Sequence, residues 1–318
     1  MTLTIRVASS DDADLATIAA IANVTSPEDT TSVEDMRWSD ATYPGEDRFI
    51  AELDGRAIGV ATVGRIYVHP PEYEALWATV DVLPEGRGRG AGSGLLAATA
   101  RAALGAGKGV LHVPVGADRP DAVAFLERRG FVEFERAHAV RLDLADVAAT
   151  PTPAVPDEIE LTNLAARPDL VAGVHAVALE AFLDIPGGDE PMTAGDLAEF
   201  RARDVDRPGI PLAGFIVAVE RATGAVVGYA SLLDKPGAPG VSFHDMTAVG
   251  RAWRGRGLAT ALKLRTIAWA RDNGRTALET GNDEDNLAMQ AVNRRLGYRA
   301  QPDLLTMRGS ADAAMMTR

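Results

Sequence analysis

Val249-Gly-Arg-Ala-Trp-Arg-Gly-Arg-Gly-Leu-Ala-Thr-Ala-Leu262 reads as the end of a strand, a tight turn of arginine and glycine, and a helix opening at about Gly257. Glycine lets the turn backbone bend where a side chain would clash and leaves its N–H groups pointing outward. A helix that begins there adds unpaired N–H groups and the positive end of its dipole, so the turn is suited to an anion, with phosphate the obvious candidate. The same cassette stands earlier as Val82-Leu-Pro-Glu-Gly-Arg-Gly-Arg-Gly-Ala-Gly-Ser-Gly-Leu95.

The two cassettes share one register. Arg87 and Arg254 are 167 residues apart, and so are the Gly130-Phe131 and Gly297-Tyr298 pairs further on. Before the cassette, Asp54 to Gly59 echoes Thr223 to Gly228 with a slip of two residues. A self-match of this length means two copies of one domain, far longer than a solenoid repeat. Thr150-Pro-Thr-Pro-Ala-Val-Pro156 lies between them, and alternating prolines without apolar periodicity suit an extended linker. The expected organisation is therefore a domain over 1–147, a linker over 148–157 and a second domain over 158–318.

The 318 residues suffice for two full cores, and 47% hydrophobic with 24% charged residues is a globular composition. No apolar run is long enough to span a membrane, and the N-terminus has no apolar signal core, so a cytoplasmic protein without membrane contact is expected. The absence of cysteine excludes disulfides, thiolate metal sites and a cysteine acyl-enzyme, and no metal site is expected. A net charge of −13 argues against general nucleic-acid binding and favours cationic ligands.

Periodicity and turn signals predict the order β-α-α-β-β-β-α-β-α-β in each copy. In the first, Ser10 to Asp12 caps a helix reaching about Asn23, Ser32 to Trp38 is a second helix, and strands cover 49–53, 57–64 and 76–83. A helix over 94–104, a strand over 110–115, a helix over 121–129 and a final strand or pair over 131–144 follow. In the second, helices are expected over 170–182, from a Thr193 cap to about Arg203, over 257–272 and over 286–296. Its strands are expected over 159–161, 215–219, 226–233, 242–249, 277–281 and 298–307.

Arg-Gly-x-Gly-[Gly/Ala]-x-[Gly/Ala] after a strand, with Gly-[Phe/Tyr] ending the next helix, resembles the GNAT superfamily of acetyl-CoA-dependent N-acyltransferases. Its Arg/Gln-x-x-Gly-x-Gly/Ala signature is met by Arg87, Gly90 and Gly92, and again by Arg254, Gly257 and Ala259. The resemblance covers nearly the whole chain and implies an α/β (α+β) fold of two tandem GNAT-like domains. Each would be a mixed, mostly antiparallel sheet flanked by about four helices. It implies acetyl-CoA as cofactor, its pyrophosphate on the turn N–H groups and its pantetheine arm between strands that part around the cassette helix. The implied contacts are Val82, Arg87, Gly88, Arg89, Gly90, Ala91, Gly92 and Ser93 in the first copy. In the second they are Ala248, Val249, Arg254, Gly255, Arg256, Gly257, Leu258, Ala259 and Thr260, with Asn282 and Asn286. Other phosphate folds fit worse: there is no G-x-x-x-x-G-K-[ST], and Gly88-x-Gly90-x-x-Ser93 misses the dinucleotide fingerprint.

The offset pairs Asp245, Thr280, Asn282, Asn286 and Asn293 with Ala78, Val113, Val115, Arg119 and Leu126. Amides and hydroxyls can hold a pantetheine chain and polarise a thioester, whereas Val and Leu cannot, so the second copy is expected to be catalytic and the first a scaffold or CoA-binding copy. Direct transfer to an amine needs a base, donors for the thioester oxygen and a proton for the thiolate. Asp245 is the candidate base, with a structural hydrogen bond as the even alternative; Glu279 and Thr280 alternate on one strand, and Thr280 is favoured. The N–H groups around Ala248 and Val249 are candidate donors. Many members of the superfamily carry a tyrosine where Asn293 stands, and asparagine is no general acid, so that proton donor is left open. The acids Asp184, Asp189 and Glu190 lie on the loop where the superfamily builds its acceptor site. The expected reaction is acetyl transfer to a primary amine of a small molecule or peptide by a monomer or homodimer; the alternative is a silent CoA-binding sensor or scaffold.

Overall fold

A computed structural model describes residues 1–27, 29–43, 45–147 and 155–315. The first copy runs β1 (Leu3–Val7), α1 (Asp12–Thr25), α2 (Val33–Thr42), β2 (Asp47–Leu53), β3 (Arg56–Arg65), β4 (Ala75–Val82), α3 (Ala91–Gly105), β5 (Val110–Gly116), α4 (Pro120–Glu127) and β6 (Val132–Asp143). The second runs β7 (Ile159–Asn163), α5 (Val171–Phe182), α6 (Leu197–Asp204), β8 (Ile216–Glu220), β9 (Val226–Asp234), β10 (Val241–Val249), α7 (Leu258–Asp272), β11 (Ala277–Asp283), α8 (Leu287–Arg295), β12 (Arg299–Ala300), β13 (Leu304–Ser310) and α9 (Ala311–Met315). The predicted order is present in both copies, except that the closing strand expected over 298–307 is two strands, β12 and β13, followed by a helix, α9, that was not expected.

Short polar side chains start the helices by accepting a hydrogen bond from an otherwise unpaired N–H of the first turn. Asp11 accepts from the Asp14 N–H, Ser32 from Asp35, Asp196 from Glu199 and Asn286 from Met289. Asp196, not Thr193, therefore caps α6. The Thr193 hydroxyl instead accepts the Gly195 N–H at 3.1 Å, which ends its reach before the helix begins.

By contacts the chain divides into Met1–Arg136 with Pro302–Arg318, and Ala137–Gln301. This packing boundary differs from the repeat boundary placed at 147 and 158, most of whose linker (148–154) lies outside the described residues. In the first unit the strand order is β1-β2-β3-β4-β5-β13, with Leu304 to Ser310 antiparallel to β5. In the second it is β6-β11-β10-β9-β8-β7, with Ala137 to Asp143 antiparallel to β11. Each unit's sheet is thus completed by the last strand of the other copy. Leu305 and Met307 are buried in the first unit's core, and Leu142 in the second's. Within each unit, and among the described residues, β4–β5 and β10–β11 are the parallel pairs and every other neighbouring pair is antiparallel. Among the described residues no helix is long and apolar enough to cross a membrane.

Candidate active site

Both cassettes fold as a strand end, a turn and a helix start. Gly88, Gly90, Gly255 and Gly257 have φ of 70°, 89°, 75° and 82°, a left-handed backbone that side chains resist. A Cβ on Gly255 or Gly257 would meet nothing within 4 Å, so the space above the turn is open. The first helical donors are Ala261 to the Gly257 carbonyl at 3.1 Å and Gly94 to the Gly90 carbonyl at 2.9 Å. Among the described residues the N–H groups of 255–260 and of 88–93 have no acceptor. Open space bounded by unpaired N–H groups at the positive end of a helix fits a pyrophosphate.

The arginines work mostly on the turn itself. Arg254 Nε donates to the Val249 carbonyl at 2.9 Å and Arg87 Nε to the Val82 carbonyl at 3.2 Å, bracing the strand end in both copies. Arg89 Nε donates to the Glu85 carbonyl, and the Arg256 guanidinium stacks over Trp253. Asp184, one of the acids on the loop beside the implied acceptor site, is held 2.5 Å from Arg251 and 2.7 Å from Arg254. The two guanidiniums hold its carboxyl well below the usual carboxylate range.

The strands on either side of each cassette helix part. β4 pairs with β5 only from Ala75 to Trp77, and β10 with β11 only from Val241 to Phe243. Beyond that point the N–H groups facing the gap lose their ladder partners. The Gly250 N–H donates to the Val227 carbonyl at 2.9 Å, so by alternation the Ala248 N–H also faces β9 and the Val249 N–H faces the gap.

A second feature belongs to one copy alone. The β10–β9 register slips between His244 and Thr247, so that Asp245 and Met246 bulge opposite Ser231. The Met246 N–H is taken by the Ser231 hydroxyl at 3.2 Å, and the same hydroxyl stands 3.4 Å from Asp245 Oδ2. The corresponding β4–β3 ladder runs without a shift from Gly59 to Arg65. Bulges re-aim side chains and are frequent beside active sites. At the bulge His244 is buried and Asp245 is exposed, while Met246 and Thr247 are both half-buried.

Polar groups line the gap side of the second copy. Thr280 Oγ1 donates to the His244 carbonyl at 2.8 Å, where the parallel ladder ends. Asn293 Nδ2 donates to Asn282 Oδ1 at 2.5 Å, while Asn293 Oδ1 and Thr247 Oγ1 are buried with no partner among the described residues. Asn286 is spent on capping α8. Glu279 is committed elsewhere, 2.7 Å from both Lys235 Nζ and Arg141 Nη1. In the first copy the matching positions are Val113, Val115, Leu126 and Val80. There Arg119 donates to the Thr25 carbonyl at 2.6 Å, and Phe125 packs 3.4 Å from where a Cβ on Gly92 would lie.

Asp245 shares its surroundings with residues the sequence did not single out. Asp204, at the end of α6, is 2.7 Å from Arg203 and lies within electrostatic reach of Asp245. Burial pushes the Asp204 carboxyl up to about 6, against the pull of Arg203. The protein mass around Asp245 raises its carboxyl too, with Arg207 and Arg203 opposing. Asp245 is nevertheless exposed, so that mass flanks the carboxyl without closing it off from solvent. Only the tertiary approach of α6 to β10 reveals this pair.

Two turns of unpaired N–H groups, each set where parallel strands part, give each copy a place suited to phosphate beside its sheet. The Acetyltransferase (GNAT) family profile matches residues 15–131 and 179–298, and the chain belongs to that family. It is an N-acetyltransferase, and acetyl-CoA is the donor that the family uses. It is 28% identical over 277 residues to a mycothiol acetyltransferase of Nocardiopsis dassonvillei, covering 80% of this chain and 79% of the relative. A mycothiol acetyltransferase of Nocardia farcinica is 31% identical over 260 residues, covering 80% of each chain. A solved tandem GNAT protein from the clavulanic acid biosynthesis pathway has the same fold, with a TM-score of 0.79 at 23% identity over 98% of this chain and 99% of that one.

Proposed function

We propose that the second copy transfers an acetyl group from acetyl-CoA directly to the primary amine of a small molecule or peptide. The observation that carries this reading is the bulge at Asp245, exposed in the second copy, which has no counterpart in the first. When bound, acetyl-CoA supplies the activated acetyl thioester. The N–H groups of 255–260 hold its pyrophosphate, and the Val249 N–H is the donor we assign to the thioester carbonyl. Asp245 takes the proton of the acceptor's ammonium, and Asp204 beside it favours a cationic acceptor in the same cleft. Asn282 and Asn293 give the pantetheine arm amide partners that Val115 and Leu126 cannot give.

The mycothiol acetyltransferase relatives make the unacetylated precursor of mycothiol the first acceptor to test, beside a panel of simple primary amines. CoA release followed by chromatography tests the reading. Turnover with any amine, reduced about 100-fold or more in Asp245→Asn, is expected. Acetyl-CoA binding without turnover on every amine would favour a silent CoA-binding protein.

A further inference from the structure

The residue before Asp245 points into the core, where three buried polar side chains meet. Lys263 on α7 is 2% exposed. Its Nζ stands 5.4 Å from the centre of the Tyr298 ring. Tyr298 Oη and His244 Nδ1 are hydrogen-bonded at 3.0 Å, and the other ring nitrogen, Nε2, is buried without a partner among the described residues. Burial raises the phenol and, with the nearby Lys263 charge, pushes the imidazole well down. The phenol and the imidazole are therefore both neutral, joined by one hydrogen bond.

A charged amine in a core is costly, and the first copy is built without one. The same positions in the first copy hold Trp77, Leu96 and Phe131, and there β4 meets β3 without a bulge. In the second copy His244 is held at two points, ring and carbonyl, at the last paired residue before the register slips. Its ring is fixed by Tyr298, Tyr298 is fixed by Lys263, and its carbonyl is fixed by Thr280.

We propose that Lys263, Tyr298 and His244 are positioning residues for the acetyl-transfer site: they pin the peptide at His244 so that β10 bulges at the next residue and turns the Asp245 carboxylate into the cleft. This rests on the reading of Asp245 as the base. A side chain anchored in the core and a carbonyl anchored on β11 leave one way to absorb the extra residue, outward at Asp245 and Met246.

The test uses Tyr298→Phe, which removes only the hydroxyl, and Lys263→Met, which removes the amine and keeps the bulk. Both are expected to lower kcat about 10- to 100-fold with the KM for acetyl-CoA unchanged, as for a displaced but intact reacting group. A merely structural role would not speed hydrogen exchange at one amide, so exchange of the Met246 N–H is followed by amide NMR in the same variants. It should quicken several-fold while amides of β8 do not. Parental kcat in both folded variants, or parental Met246 exchange in both, overturns the proposal. Asp245→Asn is run alongside: if it keeps parental kcat, the base assignment fails, and Met246 exchange alone then decides whether the cluster sets the bulge.

Discussion

Replacing Lys263 by methionine should stabilise the protein, and by an amount that depends on pH. Burial pushes the Lys263 amine down to about 7 from its ordinary 10.5. Between those values the unfolded chain holds a proton that the folded chain has lost, so stability rises with pH across that window. The penalty is fully present below pH 7 and gone above pH 10.5. At about 1.4 kcal/mol for each pH unit, the 3.5 units amount to about 5 kcal/mol. Losing the cation–ring contact with Tyr298 returns about 1–2 kcal/mol, leaving a net gain of about 3 kcal/mol at pH 6. By pH 10 that gain should have vanished or reversed. Urea unfolding followed through Trp253 and Trp269, both in the unit that carries Lys263, measures it at pH 6, 8 and 10. A parent–variant difference that stays the same at all three pH values would refute the reasoning, because the lysine would then be charged or hydrated throughout.

Three further outcomes are expected. Asp245→Asn should lose most rate at low pH, where the acceptor is an ammonium, and recover as pH rises and the free amine appears; kcat/KM measured from pH 5.5 to 9.5 checks the slope, and a uniform loss would assign Asp245 to positioning only. Asp204→Asn should abolish an inflection in kcat/KM near pH 6, the region to which burial lifts this carboxyl, while the parent loses rate as pH falls through it. A fragment of residues 157–318 lacks β6, leaving the β11 edge from Ala277 to Asp283 unpaired, and should aggregate where 137–301 stays soluble, as light scattering would report.

The sequence exposed what depends on local chemistry and hid what depends on a distant partner. The cassette turns were legible because positive φ at Gly88, Gly90, Gly255 and Gly257 demands glycine, and because the repeat let each copy check the other. The contrast of Thr280, Asn282 and Asn293 with Val113, Val115 and Leu126 was legible for the same reason. The bulge was not, since a register slip is a property of two strands and Ser231 lies on the other one. Nor was the exchange of last strands, because β6 and β13 stand at equivalent positions of the two copies and nothing in their pattern says which edge each will join. The surroundings of Asp184, Glu279 and Asp204 were hidden because their arginine, lysine and carboxylate neighbours come from other elements. Lys263 drew no notice, as an exposed and a buried lysine look alike in a helix read alone.

The claim that the second copy alone performs acetyl transfer is tested most directly by comparing two matched variants. Gly90→Val and Gly257→Val place the same bulk over equivalent N–H groups, into space that is open at Gly257 and bordered by Leu3 at 3.5 Å at Gly90. With folding confirmed for both by circular dichroism, CoA release from acetyl-CoA in the presence of an accepted amine is measured side by side. Turnover should be nearly parental in Gly90→Val and abolished in Gly257→Val. An inactive Gly90→Val beside an active Gly257→Val would contradict the account.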